Sequence, residues 1–579
     1  MAGLIPQAFI DEVLARTDIV ELIDGYVPLK KQGNSFVARC PFHSEKTPSF
    51  NVVANKQFYH CFGCGASGNA ISFMMDYLKQ DFITTVETLA AKLSMEVPRD
   101  EKTKQQQQFS QDHYQLLDKV SRYYQQQLPQ SPQAIDYLKS RGLSGEIAKH
   151  YQLGYAPEGW HHLESIFKHE RKGLLTTGML IEKDDGNHYD RYRNRIMFPI
   201  HDKRGRIIGF GGRTIKPDDK PKYLNSPETV LFQKGRELYG LHQAIQGSKQ
   251  LPFIVVVEGY MDVIALAQHG ITSAVATLGT ATSQAHIQLM ARHTQQLIFC
   301  FDGDEAGKQA AWRALEASFS QLVDGLDIRF IFLPQGQDPD SLIRQESQQG
   351  FLSRLKSAQP LNDFFFASLL KEIDTSTLSG KTQLANKAQE YLNKIPSGAY
   401  QDLLLQQLAR LTHLDIDRLR TLIDDKKPLS TPVSQAKSVP SNLKLIIALL
   451  LQNPSLHEQV SPQIDDTLLE GKNLAVLKEL LTILNNEPNL NTAGLVEKWR
   501  NHQLFEVMKK LAAWQHHVPE EGVEQELLGA IKQLQLQIIK QKIDTLLQQA
   551  AHQSLTNEEK RKLQTMIQQR LAYSTNEKT

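Results

Sequence analysis

The chain has 579 residues, which is too long for one hydrophobic core and predicts roughly three to four domains. Apolar residues make up 41% of it and charged residues 22%, both ordinary proportions for a globular protein. The formal net charge is +1, so attraction to a polyanion must come from a local basic surface. No apolar run approaches the ~20 residues of a membrane span, and acidic residues interrupt the apolar N-terminus, unlike in a secretory signal. Composition therefore predicts a cytoplasmic protein of several domains.

Three of the four cysteines lie close together near the N-terminus. Cys40-x₂-His43 is followed, after 17 intervening residues, by Cys61-x₂-Cys64. Two such pairs offer four ligands to one Zn²⁺, and a Cys₃His set leaves no coordination position open. The spacing predicts a single structural zinc ion in a reducing compartment, and disfavours three unrelated buried cysteines beside a chance histidine.

Cations and aromatic rings are interleaved around this cluster. They are Lys30, Lys31, Phe36, Arg39, Phe50, Lys56, Phe58, Tyr59 and Phe62. Cations that neutralise phosphates and rings that stack on bases are typical of proteins that bind a single nucleic-acid strand. The rings can also form the small core of a zinc ribbon, so the cations are the stronger part of the signal.

A polar, glutamine-rich run at residues 101–108 predicts a linker behind this module. Helical periodicity follows at Leu116, Leu117, Val120 and Tyr124. These observations place the start of a second folded body near residue 112.

Residues 191–236 form the most basic stretch, with twelve Lys or Arg against four Asp or Glu and a local charge of +8. Alternating segments at 195–200 and 206–210 flank a turn at 202–205, which predicts two antiparallel strands. A charge run is often only a solvated face. Beside an acidic pocket, however, it suits an enzyme that acts on a polyanion.

Three apolar segments between residues 253 and 340 each end in acidic residues. The acids are Glu258, Asp302, Asp304, Asp338 and Asp340. The segments are short and rich in β-branched and aromatic residues, and helical patterns separate them, which predicts a parallel sheet. Ligands bind beyond the carboxyl ends of such strands, where all five acids would project.

Carboxylates that converge in this way repel each other unless a cation lies among them. Oxygen ligands favour Mg²⁺ or Mn²⁺, and two such ions can stabilise both oxygens of a phosphoryl displacement. A single acid after a strand can instead cap a helix, as Asp304 could. Three strand ends with acids favour the metal site. Cys300 precedes Asp302 inside its strand, and we expect it to be a core residue.

The last third of the chain predicts helices on either side of a second linker. Residues 426–440 are rich in Pro and Ser, as flexible connections are. Beyond them, Leu527, Ile531, Leu534 and Ile538 form one apolar stripe, and residues 556–559 form a capping box for a final helix. This terminal hairpin could be a partner surface or could pack on the preceding helices. No Walker A motif is present, because position 375 is Thr where the motif needs Gly.

Two sets of motifs resemble one known family. Glu258-Gly-Tyr-Met-Asp262 and Asp302-Gly-Asp304 resemble the toprim domain of primases and topoisomerases. Cys40-Pro-Phe-His43 with Cys61-x₂-Cys64 resembles the zinc-binding domain of bacterial primases. Together they resemble the bacterial DNA primases of the DnaG type over about residues 1–430, and more loosely to the end of the chain.

The resemblance implies a DNA-directed RNA polymerase that makes short RNA primers on single-stranded DNA from NTPs. It makes Glu258, Asp302 and Asp304 catalytic, and it places two or more Mg²⁺ or Mn²⁺ ions on the five acids. It implies template or nucleotide contacts for the residues Arg191, Arg195, Arg213, Lys222, Asn225 and Lys234. It also implies a monomer in isolation that binds a replicative hexameric helicase through its C-terminal helices.

The expected fold class is multidomain α+β. An N-terminal zinc ribbon precedes a toprim α/β sheet with a mixed basic subdomain, and an all-α C-terminal bundle ends in a helical hairpin. The expected boundaries are a zinc domain 1–103, a linker 104–111, a catalytic domain 112–425 (112–250 basic, 251–345 toprim, 346–425 helical), a linker 426–440 and a helicase-binding domain 441–579. Two alternatives remain: a toprim topoisomerase or nuclease, and a non-catalytic adaptor between single strands and a helicase.

Overall fold

The computed structural model describes most of the chain. The described residues are 5–98, 101–184, 186–216, 219–246, 250–322, 325–396, 398–416, 419–420, 441–460, 474–515, 518, 520–552 and 556–575. The chain divides into two compact units, Glu101–Ser430 (the central unit) and a terminal unit composed of Met1–Asp100 with Thr431–Thr579. Both ends of the chain thus belong to one unit, which the sequence did not predict. No helix among the described residues is long and apolar enough to cross a membrane.

The N-terminal part of the terminal unit, residues 5–98, is a small antiparallel sheet with four helices, and we call it the zinc module. Its elements are α1 (Gln7–Arg16), α2 (Ile19–Asp24), β1 (Lys30–Gln32), β2 (Ser35–Ala38), β3 (Phe50–Val53), β4 (Phe58–Cys61), β5 (Ser67–Gly68), α3 (Ala70–Leu78) and α4 (Phe82–Lys92). The strands pair in sequence order. Phe50 and Tyr59 are fully buried and stack at 5.1 Å between ring centroids. These two rings therefore form part of the core of the zinc module, which was the second interpretation of the aromatic residues.

The central unit begins with one long helix and a four-stranded antiparallel sheet. Its first elements are α5 (Glu101–Gln127), α6 (Pro132–Ser140), α7 (Gly145–His150), β6 (Gly154–Ala156), α8 (His162–Ile166), α9 (Arg171–Thr176), β7 (Leu180–Glu182), β8 (His188–Asp190), β9 (Arg195–His201), β10 (Ile207–Thr214), β11 (Tyr223–Asn225) and α10 (Leu241–Gln246). The sheet order is β11-β10-β9-β6. The expected strand–turn–strand is β9–β10, with Gly205 at φ +82° in the turn.

The polar run predicted as the first linker is helical. It forms the first turns of α5. Gln, Lys and Glu are good helix formers, so low complexity here does not prevent regular structure. The linker itself stays a prediction, and its helical conformation was not predicted. The predicted second linker, 426–440, lies outside the described residues.

A mainly parallel five-stranded sheet forms the centre of this unit. Its elements are β12 (Ile254–Val257), α11 (Tyr260–Gln268), β13 (Ala274–Ala276), α12 (Gln284–Ala291), β14 (Gln296–Phe301), α13 (Glu305–Phe319), β15 (Asp327–Phe332), α14 (Pro339–Lys356) and β16 (Gln359–Pro360). The order is β13-β12-β14-β15-β16, and only β16 runs antiparallel to its neighbour. The predicted parallel sheet is confirmed, and its strands are almost wholly buried because helices cover both faces.

Helices complete both units. In the central unit they are α15 (Leu361–Glu372), α16 (Leu378–Leu392) and α17 (Ala399–Thr412). In the terminal unit they are α18 (Ser441–Gln452), α19 (His457–Val460), α20 (Ala475–Asn486), α21 (Thr492–Glu497), α22 (Phe505–Ala512), α23 (Val523–His552) and α24 (Asn557–Thr575). The apolar stripe of α23 is buried in the helical core, so ordinary packing accounts for it. Thr556 and Glu559 form the predicted capping box.

Candidate zinc centre and acidic pocket

The zinc module brings the four predicted ligands together. Sγ of Cys40 lies 3.8 Å from Sγ of Cys64, and Sγ of Cys61 lies 3.7 Å from Nδ1 of His43. A tetrahedron with Zn–S bonds of about 2.3 Å has edges of about 3.8 Å, so these separations fit one Zn²⁺. Within the described residues, this is the one group of three or more such side chains whose ligand atoms lie within 4.8 Å of each other. The site would bind zinc through four protein ligands.

Glu45 supports this site, and the sequence analysis missed it. Its carboxylate accepts hydrogen bonds from the backbone N–H groups of Cys40 (2.6 Å) and Ser49 (3.1 Å). Its Oε2 also lies 3.3 Å from Nε2 of His43. A carboxylate on the far nitrogen of a metal-binding histidine fixes the orientation and tautomer of the ring. The signal was the acid two residues after His43.

The acidic pocket of the central unit lies beyond the carboxyl ends of β12, β13 and β14. It has a volume of about 320 Å³. Its charged lining residues are Arg141, Arg213, Lys222, Glu258, Asp262, Asp302, Asp338 and Asp340. Four of the five predicted acids thus line one pocket, and parallel strands explain why they meet there.

Mutual repulsion is visible in the acids of this pocket. Desolvation and the charges of Asp302 and Asp304 raise the pKa of Glu258. Burial and the charges of Asp338 and Asp304 raise the pKa of Asp302. Each carboxylate therefore makes ionisation of its neighbours harder, a repulsion that a bound divalent cation would relieve. The acids are less tightly gathered than the zinc ligands, which suits Mg²⁺ bound through a few carboxylates, waters and phosphates.

Asp262 is a sixth acid of this site that the sequence analysis did not select. It lies in the first turn of α11, four residues after Glu258, and lines the same pocket. Its Oδ1 accepts a hydrogen bond from the backbone N–H of Asp340 at 3.3 Å. Burial, followed by the charge of Asp338, raises the pKa of Asp262 to about 8. The quoted motif Glu258-Gly-Tyr-Met-Asp262 already contained the residue.

Two of the predicted acids also begin helices. Oδ1 of Asp304 accepts a hydrogen bond from the N–H of Gly307 at 2.7 Å, which caps α13. Asp304 is exposed, and it does not line the pocket itself although its charge acts on Glu258. Oδ1 of Asp338 accepts a hydrogen bond from the N–H of Ser341 at 2.7 Å, which caps α14. Asp304 therefore caps a helix, as the alternative interpretation predicted. Its charge also acts on Glu258 of the pocket.

Asp338 and Asp340 differ in their electrostatic surroundings. Burial opposes ionisation of Asp338, but hydrogen bonds from Ser341 and the positive charge of Arg141 outweigh it and lower its pKa. Asp340 is fully buried and lies between two guanidinium groups, 3.3 Å from Nη1 of Arg141 and 3.2 Å from Nε of Arg344. Burial nevertheless raises its pKa. Asp340 is thus already paired with protein cations.

Three of the six predicted basic-groove residues line the pocket, namely Arg213, Lys222 and Asn225. Nη1 of Arg213 donates to the hydroxyl of Tyr223 at 2.7 Å, and its guanidinium also lies over that ring. Lys222 is exposed at the rim. Asn225 donates to the carbonyl of Leu278 at 3.0 Å and accepts from the hydroxyl of Tyr260 at 2.8 Å. Asn225 therefore joins β11 to the loop after β13.

The other three, Arg191, Arg195 and Lys234, do not line the pocket. Nε of Arg191 donates to the carbonyl of Gly178 at 2.6 Å. Arg195 is buried and donates to the carbonyls of residues 212, 221 and 222, at 2.9–3.3 Å. Lys234 contributes its backbone, since its carbonyl oxygen lies 2.9 Å from Nε2 of His286. A count of charges in the sequence does not show which basic side chains donate hydrogen bonds to backbone carbonyl groups and which face the pocket.

Two further residues that line the pocket, Cys300 and Tyr260, are buried. Cys300 is buried, as expected, although it reaches the floor of the pocket. Tyr260 is buried and stacks on Phe198 at 5.3 Å between centroids. Burial raises the pKa of Tyr260 well above its ordinary value. Its hydroxyl is therefore a poor nucleophile, and this argues against a topoisomerase that would use it.

Comparison with known families matches successive parts of the chain. The CHC2 zinc finger matches residues 5–105, the N-terminal domain of the DNA primase catalytic core matches 123–245, and a Toprim-like domain matches 255–343. The DnaB-helicase binding domain of primase matches 363–417, and the DnaB-binding domain of DNA primase DnaG matches 443–566. The fold and the site together define a toprim enzyme with a CHC2 zinc ribbon.

Full-length relatives narrow this class. A DNA primase of Legionella pneumophila is 57% identical over 571 residues, which cover 98% of this chain and 99% of the relative. A DNA primase domain from Pseudomonas aeruginosa, 51% identical, superposes with a TM-score of 0.52 over 54% of this chain and 99% of that domain. A DnaG primase catalytic domain bound to ssDNA, 46% identical, has a TM-score of 0.52 over 54% and 99%. The chain belongs to the DNA primase family of the DnaG type, and primase is its enzyme class.

Proposed function

We propose that the chain synthesises short RNA primers on single-stranded DNA from NTPs, in the acidic pocket of its central unit. The observation that carries this proposal is the lining of that pocket, where carboxylates of Glu258, Asp262 and Asp302 lie beside Arg213 and Lys222. Carboxylates suit divalent ions, whereas the cations suit the phosphates of a strand or nucleotide. This combination supports nucleotidyl transfer.

The catalytic residues are Glu258, Asp302 and Asp304 in this proposal. Together with Asp338 and Asp340 they would hold Mg²⁺ or Mn²⁺, and the ions would supply charge stabilisation to the oxygens of the transferred phosphoryl group. Burial and neighbouring carboxylates raise the pKa values of Glu258 and Asp302, and the repulsion between carboxylates supports this fit because a bound cation would offset it.

In the reaction, the 3′-hydroxyl of one nucleotide attacks the α-phosphorus of an incoming NTP, and pyrophosphate leaves. Two roles are open to Glu258: it ligates a metal, directly or through water, or it accepts the proton of the hydroxyl.

The basic residues divide by environment. We propose that Arg213 and Lys222 contact template or nucleotide directly, because they line the pocket. Arg195 holds the carbonyl groups next to Lys222, and Asn225 holds the strand that carries Arg213's partner Tyr223. We assign these two residues, with Arg191 and Lys234, to positioning the groove.

The remaining partners and boundaries follow the family. Single-stranded DNA is supported by the similar catalytic domain bound to ssDNA, and a replicative helicase by the two helicase-binding matches. We retain a zinc domain at 1–103 that reads the template, a catalytic domain at 112–425 and a helicase-binding domain at 441–579. We also propose that the chain is a cytoplasmic monomer in isolation. The match at 363–417 suggests that the helical end of the catalytic domain shares in binding the helicase.

The test is primer synthesis on a mixed-sequence single-stranded template with labelled NTPs and either Mg²⁺ or Mn²⁺. The intact chain should form short RNA, whereas Asp302→Ala should form no dinucleotide. Asp327→Ala is a matched control, because Asp327 lies at the opposite end of β15. Strand cleavage without polymer would favour the toprim nuclease or topoisomerase. Normal synthesis by Asp302→Ala would refute the site.

A further inference from the structure

The outer face of the zinc-module sheet is covered by helices from the other end of the chain. In β4, Tyr59 and Cys61 point into the core of the zinc module and are fully buried. Because strand side chains alternate between faces, Phe58 and His60 point the other way. Phe58 is nevertheless only 4% exposed, because it lies in the hydrophobic core of the C-terminal helices. An outward-facing ring that is buried to this extent indicates a packed contact.

A buried ion pair lies at this contact. Glu497, at the end of α21, is almost fully buried and is paired with Arg500. Nδ2 of Asn69 donates to Oε2 of Glu497 at 2.7 Å, and Nη2 of Arg500 donates to the hydroxyl of Ser72 at 3.1 Å. A buried carboxylate needs hydrogen-bond partners, and here the zinc module supplies one of them.

Asn69 forms hydrogen bonds both within the zinc module and to the C-terminal helices. Its Oδ1 accepts from the N–H of Ser72 at 3.0 Å and caps α3, while its amide nitrogen faces α21. Lys498 lies beside this group and donates to Asp11 of α1 at 2.8 Å. Backbone groups join as well, since the N–H of Ala493 donates to the carbonyl of Lys56 at 3.2 Å. Apolar, ionic and backbone contacts therefore agree on one docked arrangement.

The contact leaves part of the zinc module open. A cleft of about 560 Å³ lies between the outer face of β3–β4 and the end of α22. Phe62 and Trp514 at its margin are 51% and 43% exposed. The helices thus cover Phe58 and the carbonyl of Lys56 but not the zinc knuckle at Phe62.

We propose that α21 and α22 are a docking surface for the zinc module of the same chain, and that docking masks the Phe58 end of the sheet from nucleic acid. The masking part rests on the proposed template-reading role of the zinc module. The docking part does not. A strand that used the whole outer face would have to displace the C-terminal helices, so the two ends of the chain would separate during template reading.

Docking is tested by hydrogen–deuterium exchange of the full-length chain with zinc bound. Arg500→Glu places a second carboxylate beside Glu497 and should raise exchange at least tenfold in β3–β4 and in α21–α22. Lys562→Glu is the matched control, because Lys562 lies on the exposed surface of α24, where it pairs with Glu558 at 2.9 Å. It should change neither region. Unchanged exchange in Arg500→Glu would overturn docking.

A charge exchange decides the matter even if Arg500→Glu folds poorly. Asp11→Lys and Lys498→Glu should each raise exchange at the contact. The double variant should restore part of the protection, because Lys498 also pairs with Glu487 at 2.7 Å. Absence of restoration would overturn docking through this surface. Protection that grows with protein concentration would assign the contact to a second copy of the chain and overturn the intramolecular proposal.

Masking is tested separately by photo-cross-linking an oligothymidylate to the same full-length variants. Lys498→Glu should increase cross-linking to the peptide that contains Phe58 although it removes a positive charge, and the double variant should return cross-linking toward the original level. Equal cross-linking in all variants would overturn masking. Failure of primer synthesis would refute the proposed function instead, and it would leave the exchange result unaffected.

Discussion

Asp262 accepts a hydrogen bond from the backbone N–H of Asp340, with 3.3 Å between Oδ1 and the nitrogen. The bond joins the first turn of α11 to the first turn of α14. Those two turns follow β12 and β15, which lie on either side of β14 in the sheet. A protonatable group therefore ties together two of the loops that carry the acids of the pocket.

The charge on Asp262 should make the metal-free central unit less stable as pH rises. Its pKa is about 8 in the folded chain and is ordinarily 3.8, so the folded state retains a proton that the unfolded state releases. The free energy of unfolding must then fall between about pH 4 and pH 8. Asp262→Asn keeps an acceptor for the N–H of Asp340 and removes this fall. We expect the variant to be more stable than the original chain by about 1 kcal/mol or more at pH 8.

The measurement is unfolding of the central unit over a pH series with zinc present and no Mg²⁺ or Mn²⁺. The difference between Asp262→Asn and the original chain should be near zero at pH 4 and grow toward pH 8. Added Mg²⁺ should narrow it at pH 8, because an ion favours the ionised acids. A difference independent of pH would contradict the assigned cause.

Two variants of Asp304 should distinguish its role as a helix cap from its role as a charge beside the pocket. Asp304→Asn keeps a capping oxygen for the N–H of Gly307 but loses the charge that acts on Glu258. We expect nearly unchanged stability and strongly reduced primer synthesis. Asp304→Ala should lose both, with a further loss of about 1 kcal/mol in stability. Equal stability of the two variants would show that the cap contributes little.

Lys222 and Arg195 should respond differently to removal of their charges. Lys222 is exposed at the pocket rim, so Lys222→Ala should weaken single-strand binding and reduce its salt dependence by about 0.7 in the log–log slope. Arg195 serves buried carbonyl groups, so Arg195→Ala should destabilise the fold by about 1–3 kcal/mol. Binding titrations at several salt concentrations and denaturant unfolding distinguish the two. A stability loss in Lys222→Ala would contradict this division.

Glu45 should control zinc affinity without being a ligand. Its carboxylate orients His43 and accepts a hydrogen bond from the N–H of Cys40. Glu45→Ala should therefore weaken zinc binding about 10- to 100-fold. Competition with a chromophoric chelator measures this, and the neighbouring exposed Lys46→Ala serves as the control. Equal affinities would show that the Cys₃His set is held by the sheet alone.

The sequence predicted the parallel sheet and most of its acids because both follow from local patterns. Short apolar runs identify buried strands, and parallel strands must end at one edge, so Glu258 and Asp302 meet without further information. Asp262 was not predicted as a site residue because it belongs to a helix, where the direction of a side chain depends on how the helix packs. Its position four residues after Glu258, within one motif, was the available signal.

The cations were harder to assign than the acids. Arg213 and Arg195 lie on paired antiparallel strands, and the sequence gives both the same charge and a similar setting. Only the tertiary structure shows that one guanidinium lines the pocket while the other binds the carbonyls of a neighbouring loop. The contact between the two ends of the chain was also beyond prediction, because it joins segments more than 400 residues apart, as in the bond from Asn69 to Glu497.

The helix caps at Asp304 and Asp338 have a consequence for heat. Each acid uses one oxygen to hold the opening turn of α13 or α14, and such turns fray before a hydrophobic core opens. Fraying would release both carboxylates from their set positions while β12, β14 and β15 stayed intact. On gentle warming, catalysis should therefore fail several degrees below the temperature at which the body of the protein melts, and it should return on cooling.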